Sequence, residues 1–158
     1  MQHFNLNHFN SGSGDGNEDI CTRPAYAVRA DLDLIFGRDN VSKWADLNNN
    51  EDADEIAQRV CWALAEAKDY FDDRLRGGPY SIPFEETYPD QIVSMSARWA
   101  GVLLYDSRGV QDSEDENPRH KLSYHRDAVK KFLREVHAGR IRLEGVDLVA
   151  TDYPKVVI

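Results

Sequence analysis

The feature that most constrains this chain is the run from about Asp52 to Arg76, whose apolar residues recur at steps of three and four. Ile56, Val60, Ala63, Leu64, Ala67, Phe71 and Leu75 fall on one face of a helix with 3.6 residues per turn. Gly77, Gly78 and Pro79 end the pattern. An apolar stripe of this length has to be covered, so the fold is expected to be assembled around it. The opposite face carries Glu55, Glu66, Asp69 and Asp73, with Trp62 among them. A tryptophan on a charged face either packs beneath a segment of its own chain, here the leader or the tail, or anchors an interface.

Two short helices are predicted before it. YAVRADLDLIFG places Leu32, Ile35 and Phe36 at helical spacing with Gly37 as a stop, and a second begins near Asn40 and runs to Asp46, capped by Asp39 or Asn40. After the proline-punctuated loop YSIPFEETYP, the stretch PDQIVSMSARWAGVLLYDSRG reads as a second long helix with Pro89 near its first turn. Its residues Ile92, Val93, Met95, Trp99, Ala100, Val102, Leu103 and Leu104 cover well over half the circumference, which predicts the buried centre of the domain. SRGVQDSEDENP is an acidic loop, and Pro118 opens a third long helix ending near Ala138. That helix has a narrow stripe of Leu122, Val129, Phe132, Leu133 and Val136, with Arg126, Lys130 and Arg134 outward. The final DLVATDYPKVVI is β-branched and extended in character, with no evident partner in the chain. The expected fold is all-α: a small bundle of three long helices and two short N-terminal ones. The expected organisation is a flexible arm over 1–23, a helical domain over 24–146 and an extended tail over 147–158.

Composition narrows the function classes. The net charge of −9 argues against a general nucleic-acid binder, whose affinity rests on neutralising phosphates. The balance is uneven, because the span Arg119 to Arg142 holds eight Lys or Arg against Asp127 and Glu135. A basic face on one helix and an acidic face on another suit head-to-tail association of copies, which generates a ring when the rotation closes. The opening MQHFNLNHFNSGSGDGNEDI has neither a basic start nor an apolar run, so no secretory signal is expected, and no stretch is apolar enough for a membrane span. Cys21 and Cys61 lie in dissimilar contexts and are expected to be reduced thiols in a cytosolic setting.

No catalytic or metal signature emerges. Asp46, Asn48 and Asn50 imitate the first ligands of a calcium loop, but Glu51 stands where glycine is needed and Ala57 where a bidentate Glu is needed. The turn is therefore expected to cap the long helix. His3, His8, His120, His125 and His137 form no metal spacing, and no Walker loop, GxSxG or GxGxxG is present. The expectation is a non-enzyme with no cofactor and no metal.

Four segments in this order carry a resemblance: YAVRADLDLIFG, the Asn/Asp turn with the helix ending in FDDRLRGGPYSIPF, YPDQIVSMSARWAGVLLY, and YHRDAVKKFLREVHAGRIRL. Together the chain resembles the small Mu-like head-tail connector or head-completion proteins of phage necks, over most of residues 24 to 146. The leader and the tail fall outside that likeness, and the acidic stretch Gln111 to Asn117 looks inserted.

The resemblance implies a helical virion protein, made in the host cytoplasm, that forms a homo-oligomeric ring, commonly twelvefold. The ring would sit at the neck between the portal protein and the next neck or tail-terminator protein, with genomic DNA passing without sequence specificity and no membrane contact. On this reading Trp62, Glu55, Glu66, Asp69 and Asp73 of one copy face Arg126, Lys130 and Arg134 of the next. Tyr153, Val156, Val157 and Ile158 would reach the portal as part of an extended strand. Asp112, Glu114, Asp115 and Glu116 would line the channel and repel DNA. The alternative is a DNA-contacting or regulatory helical protein that uses the basic helix 119–142.

Overall fold

In a computed structural model of the chain, residues 21–109 and 121–149 are described. They form five α-helices, α1 (Arg29–Phe36), α2 (Arg38–Ala45), α3 (Ala53–Leu75), α4 (Asp90–Ser107) and α5 (Lys121–His137), and no strand among the described residues. The fold is all-α, as the spacing predicts. Among the described residues no helix is long and apolar enough to cross a membrane.

The long helix α3 starts where its cap dictates. The Asp52 carboxylate accepts from the backbone N–H groups of Asp54 and Glu55 at 2.9 and 3.1 Å, satisfying two donors that the first turn leaves free. Upstream, the Asp46 carboxylate accepts from the N–H groups of Asn50 and Glu51, while Asn49 and Glu51 take left-handed φ of 52° and 54°. The Asn48 and Asn50 amides donate to Glu55. Arg108 closes the turn from below, donating to the carbonyls of Lys43 and Asp46 and to Asn49 Oδ1. The Asp46 carboxylate is taken by backbone N–H groups and the Asn48 and Asn50 amides turn to Glu55, so the turn is built as a helix cap.

Helix α4 packs against all four other helices. Ile92, Ala97, Ala100 and Leu104 are fully buried along it. Gly101 lets α1 approach, because a Cβ there would overlap the ring of Phe36. Gly101→Ala is therefore expected to destabilise the chain by up to about 2 kcal/mol in denaturant unfolding. Overpacking of about 1–3 kcal/mol outweighs the roughly 1 kcal/mol that alanine gains in helix propensity. A stabilised variant would contradict this close approach.

Two sequence expectations are overturned. Cys21 and Cys61 form a disulfide, with Cα atoms 5.2 Å apart across a sequence separation of 40. The separation lies in the usual range for bridged pairs. Position 61 lies on the side of α3 along which the residues before α1 run, and Arg23 there makes ion pairs with Glu66 and Asp69 at 3.1 and 2.6 Å. The tail, expected to lack a partner in the chain, has one at its start. Leu148 forms an antiparallel bridge with Tyr80, and Val149 N–H donates to the Pro79 carbonyl at 2.8 Å.

Candidate subunit interface

The α3 helix places charged groups on both its buried and its exposed sides, and only the exposed ones are available to a partner. On the buried side, Lys68 and Asp72 are one helical turn apart and pair at 2.6 Å, both buried. The Tyr26 hydroxyl donates to the second Asp72 oxygen and accepts from the Phe84 N–H at 3.1 Å. Burial, with the Asp72 carboxylate second, pushes the tyrosine well above its ordinary range, so it remains a donor. This network joins the segment before α1 and the α3–α4 loop to the middle of the bundle. Its sequence signal was a Lys and an Asp four apart inside the apolar face.

The outward face is less open than its sequence implies. Trp62 is half-buried and packs against the core, with the Arg59 guanidinium 4.0 Å over its ring. Its neighbours Glu66 and Asp69 are held by Arg23, and Glu55 receives the two asparagine amides. The leader thus supplies intrachain partners for this face. Asp73 is exposed.

The basic helix divides similarly. Arg126 donates to both oxygens of Asp106 on α4 at 2.9 Å, so it ties α5 to α4. Lys130 and Arg134 are exposed and line a groove between α3 and α5 together with Arg74 and Lys131. Tyr70 and Leu133 form its apolar wall, and Tyr70 stacks on Trp99 with centroids 4.3 Å apart. Arg74 lies 4.9 Å over the Tyr70 ring. Among the described residues none of these four cations is in a salt bridge. The basic run of α5 shows Lys130, Lys131 and Arg134 in sequence, whereas Arg74 joins them only in the fold, because the groove needs two helices distant in sequence. Asp112, Glu114, Asp115 and Glu116, and likewise Tyr153, Val156, Val157 and Ile158, lie outside the described residues.

His125, near the start of α5, packs instead against Phe36 of α1 and Arg98 of α4. Its Nδ1 lies 3.0 Å from an Arg98 guanidinium nitrogen, and since guanidinium only donates, Nδ1 must accept and the ring is neutral. Burial first and the Arg98 charge second lower its pKa below the ordinary 6.5. A base with a depressed folded-state pKa binds fewer protons than in the unfolded chain, so stability falls as pH drops below about 6.5. His125→Gln is expected to flatten that part of the stability profile in urea titrations at successive pH values. An unchanged slope between wild type and variant would refute the assignment.

Among the described residues no group of three or more His, Cys, Asp or Glu is placed to hold a metal ion. A family model described as bacteriophage Mu, Gp36 matches residues 26–154. The match thus runs further into the tail than the resemblance in sequence had indicated. No curated protein and no solved structure matches the chain.

Proposed function

The chain belongs to the bacteriophage Mu Gp36 family, and on that premise we propose that it is a structural virion protein: a head-tail connector forming a ring between the portal and the next neck or tail protein. The family match carries this reading, since it places the chain in a phage family over all five helices. The surface supports it. Exposed cations gather in one groove while the chain as a whole is acidic, a separation of charge that suits association between copies. The tail beyond its bridge to Tyr80 is the segment proposed to reach the portal. A channel lined by acidic residues of the ring would let DNA slide.

The test is co-sedimentation of the purified chain with portal rings of the same phage. Binding is expected, and truncation after Val149 is expected to weaken it at least tenfold. A chain that never associates with the portal, and is missing from purified virions, would sink the proposal.

A second reading, a DNA-contacting helical protein, draws on the same cations. It predicts DNA affinity falling steeply with salt and weakened by Lys130→Ala and Arg134→Ala. Salt-insensitive or unmeasurable DNA binding would dismiss it.

A further inference from the structure

The groove between α3 and α5 is lined by four cations and one carboxylate, Asp127, over an apolar wall, and the same chain presents an acidic loop at a cleft that shares none of its lining residues. Arg74, Lys130, Lys131 and Arg134 are exposed along the groove, and none of them is in an ion pair among the described residues. Between Tyr80 and α4 the chain turns out through Glu85 and Glu86, both exposed, with Glu86 at a left-handed φ of 63°. Asp90, at the start of α4, and Asp147, across a cleft from the loop, are also exposed carboxylates.

This loop is held in shape from beneath. Phe84 is buried, and its N–H donates to the Tyr26 hydroxyl that is itself fixed by Asp72. The Thr87 N–H donates to the Glu85 carbonyl at 2.7 Å. The two glutamates are thus displayed on an ordered loop, which keeps the entropic cost of docking low. No hydrogen bond or ion pair joins loop and groove among the described residues, so neither satisfies the other within one chain.

We propose that the α3/α5 groove of one copy receives the Glu85–Glu86 loop of a second copy, head to tail. This rests on the ring reading above and names the surfaces that would close it. Two different patches, each used once per copy, are what a heterologous ring contact requires. A duplex would place a convex polyanion against a strongly acidic chain. A groove walled by Tyr70 and Leu133 instead fits a loop that carries carboxylates on an apolar base. The contact differs from a pairing through Arg126, Glu66 and Asp69, all of which have intrachain partners.

Charge reversal tests this in both directions. The groove variant Lys130→Glu/Lys131→Glu/Arg134→Glu and the loop variant Glu85→Lys/Glu86→Lys are examined by sedimentation velocity, alone and with portal rings, after circular dichroism shows unchanged helicity. Each variant alone is expected to self-associate on the order of 100-fold more weakly than wild type, because like charges then face each other. An equimolar mixture is expected to regain assembly, since acidic grooves then meet basic loops and basic grooves meet acidic ones. Wild-type assembly by both variants, failure of the mixture to recover, or a wild-type chain that never self-associates would each overturn the contact. A wild-type chain that self-associates with this charge pattern but ignores the portal would leave the contact standing and remove the neck reading. Rings on the portal that survive both reversals would do the opposite.

Discussion

Asp72→Ala is expected to destabilise the folded chain by about 3–5 kcal/mol, as judged from denaturant unfolding. The substitution removes one carboxylate but strands two partners. Lys68, a residue 8% exposed, loses the group that compensates the burial of its ammonium, and Tyr26, 3% exposed, loses the acceptor of its hydroxyl. Breaking a buried pair costs more than replacing it, so Lys68→Met/Asp72→Leu should recover most of the loss. The reason for the asymmetry is desolvation: a buried charge without a partner has surrendered its water and received nothing in return. A cost for Asp72→Ala within about 0.5 kcal/mol, the range of ordinary surface changes, would show that the network does not anchor the bundle.

The second large effect concerns the disulfide. Cys61→Ser is expected to cost about 2–4 kcal/mol under oxidising conditions, because the bond closes a loop across a separation of 40 residues and so restricts the unfolded chain. Reductant should lower wild-type stability by a similar amount and leave the variant unchanged. The effect should also be local. With the bond gone, the leader is held to α3 by Arg23 and its exposed pairs with Glu66 and Asp69, contacts that are weak in water. Intact mass under denaturing conditions gives the simplest check, since the bonded form is two hydrogens lighter than the dithiol. A dithiol in chain kept free of reductant would remove the bond from the account.

These two effects also show where the sequence stopped being legible. The ends of α3 were readable because both signals are local. Asp52 caps it and Gly77 follows it at a φ of 81°, so the predicted Asp52 to Arg76 and the observed Ala53–Leu75 differ by one residue at each end. The central place of α4 was readable as well, since a helix apolar around most of its circumference has few places to go but inside. The Lys68–Asp72 pair interrupts, with two polar residues one turn apart, a stripe that otherwise predicts burial. Its meaning depended on Tyr26, 46 residues away from Asp72. The disulfide is not legible locally, because compartment and sequence context do not contain the tertiary path that brings Cys21 to α3. Arg108 could not have been assigned to the Asn-rich turn by any local pattern, for the residues it touches lie some 60 positions earlier, with Asp46 at a separation of 62.

The candidate interface followed the same rule. Charge on each helix face could be counted, but which charges remain unpaired was decided by intrachain partners. Arg126 was claimed by Asp106, and Glu66 and Asp69 by Arg23. The cations of the groove that Arg74 completes from a second helix keep no intrachain ion pair among the described residues. Trp62, half-buried and covered on one side by Arg59, contributes to the stability of the α3 surface whether or not a partner meets it.

The most direct measurement of the central claim is cryo-electron microscopy of this chain bound to the portal of the same phage. A closed ring of copies on the portal, each with five helices and a tail segment entering the portal, is the predicted result. A portal without added density, under conditions where both proteins are folded and concentrated, would contradict the claim.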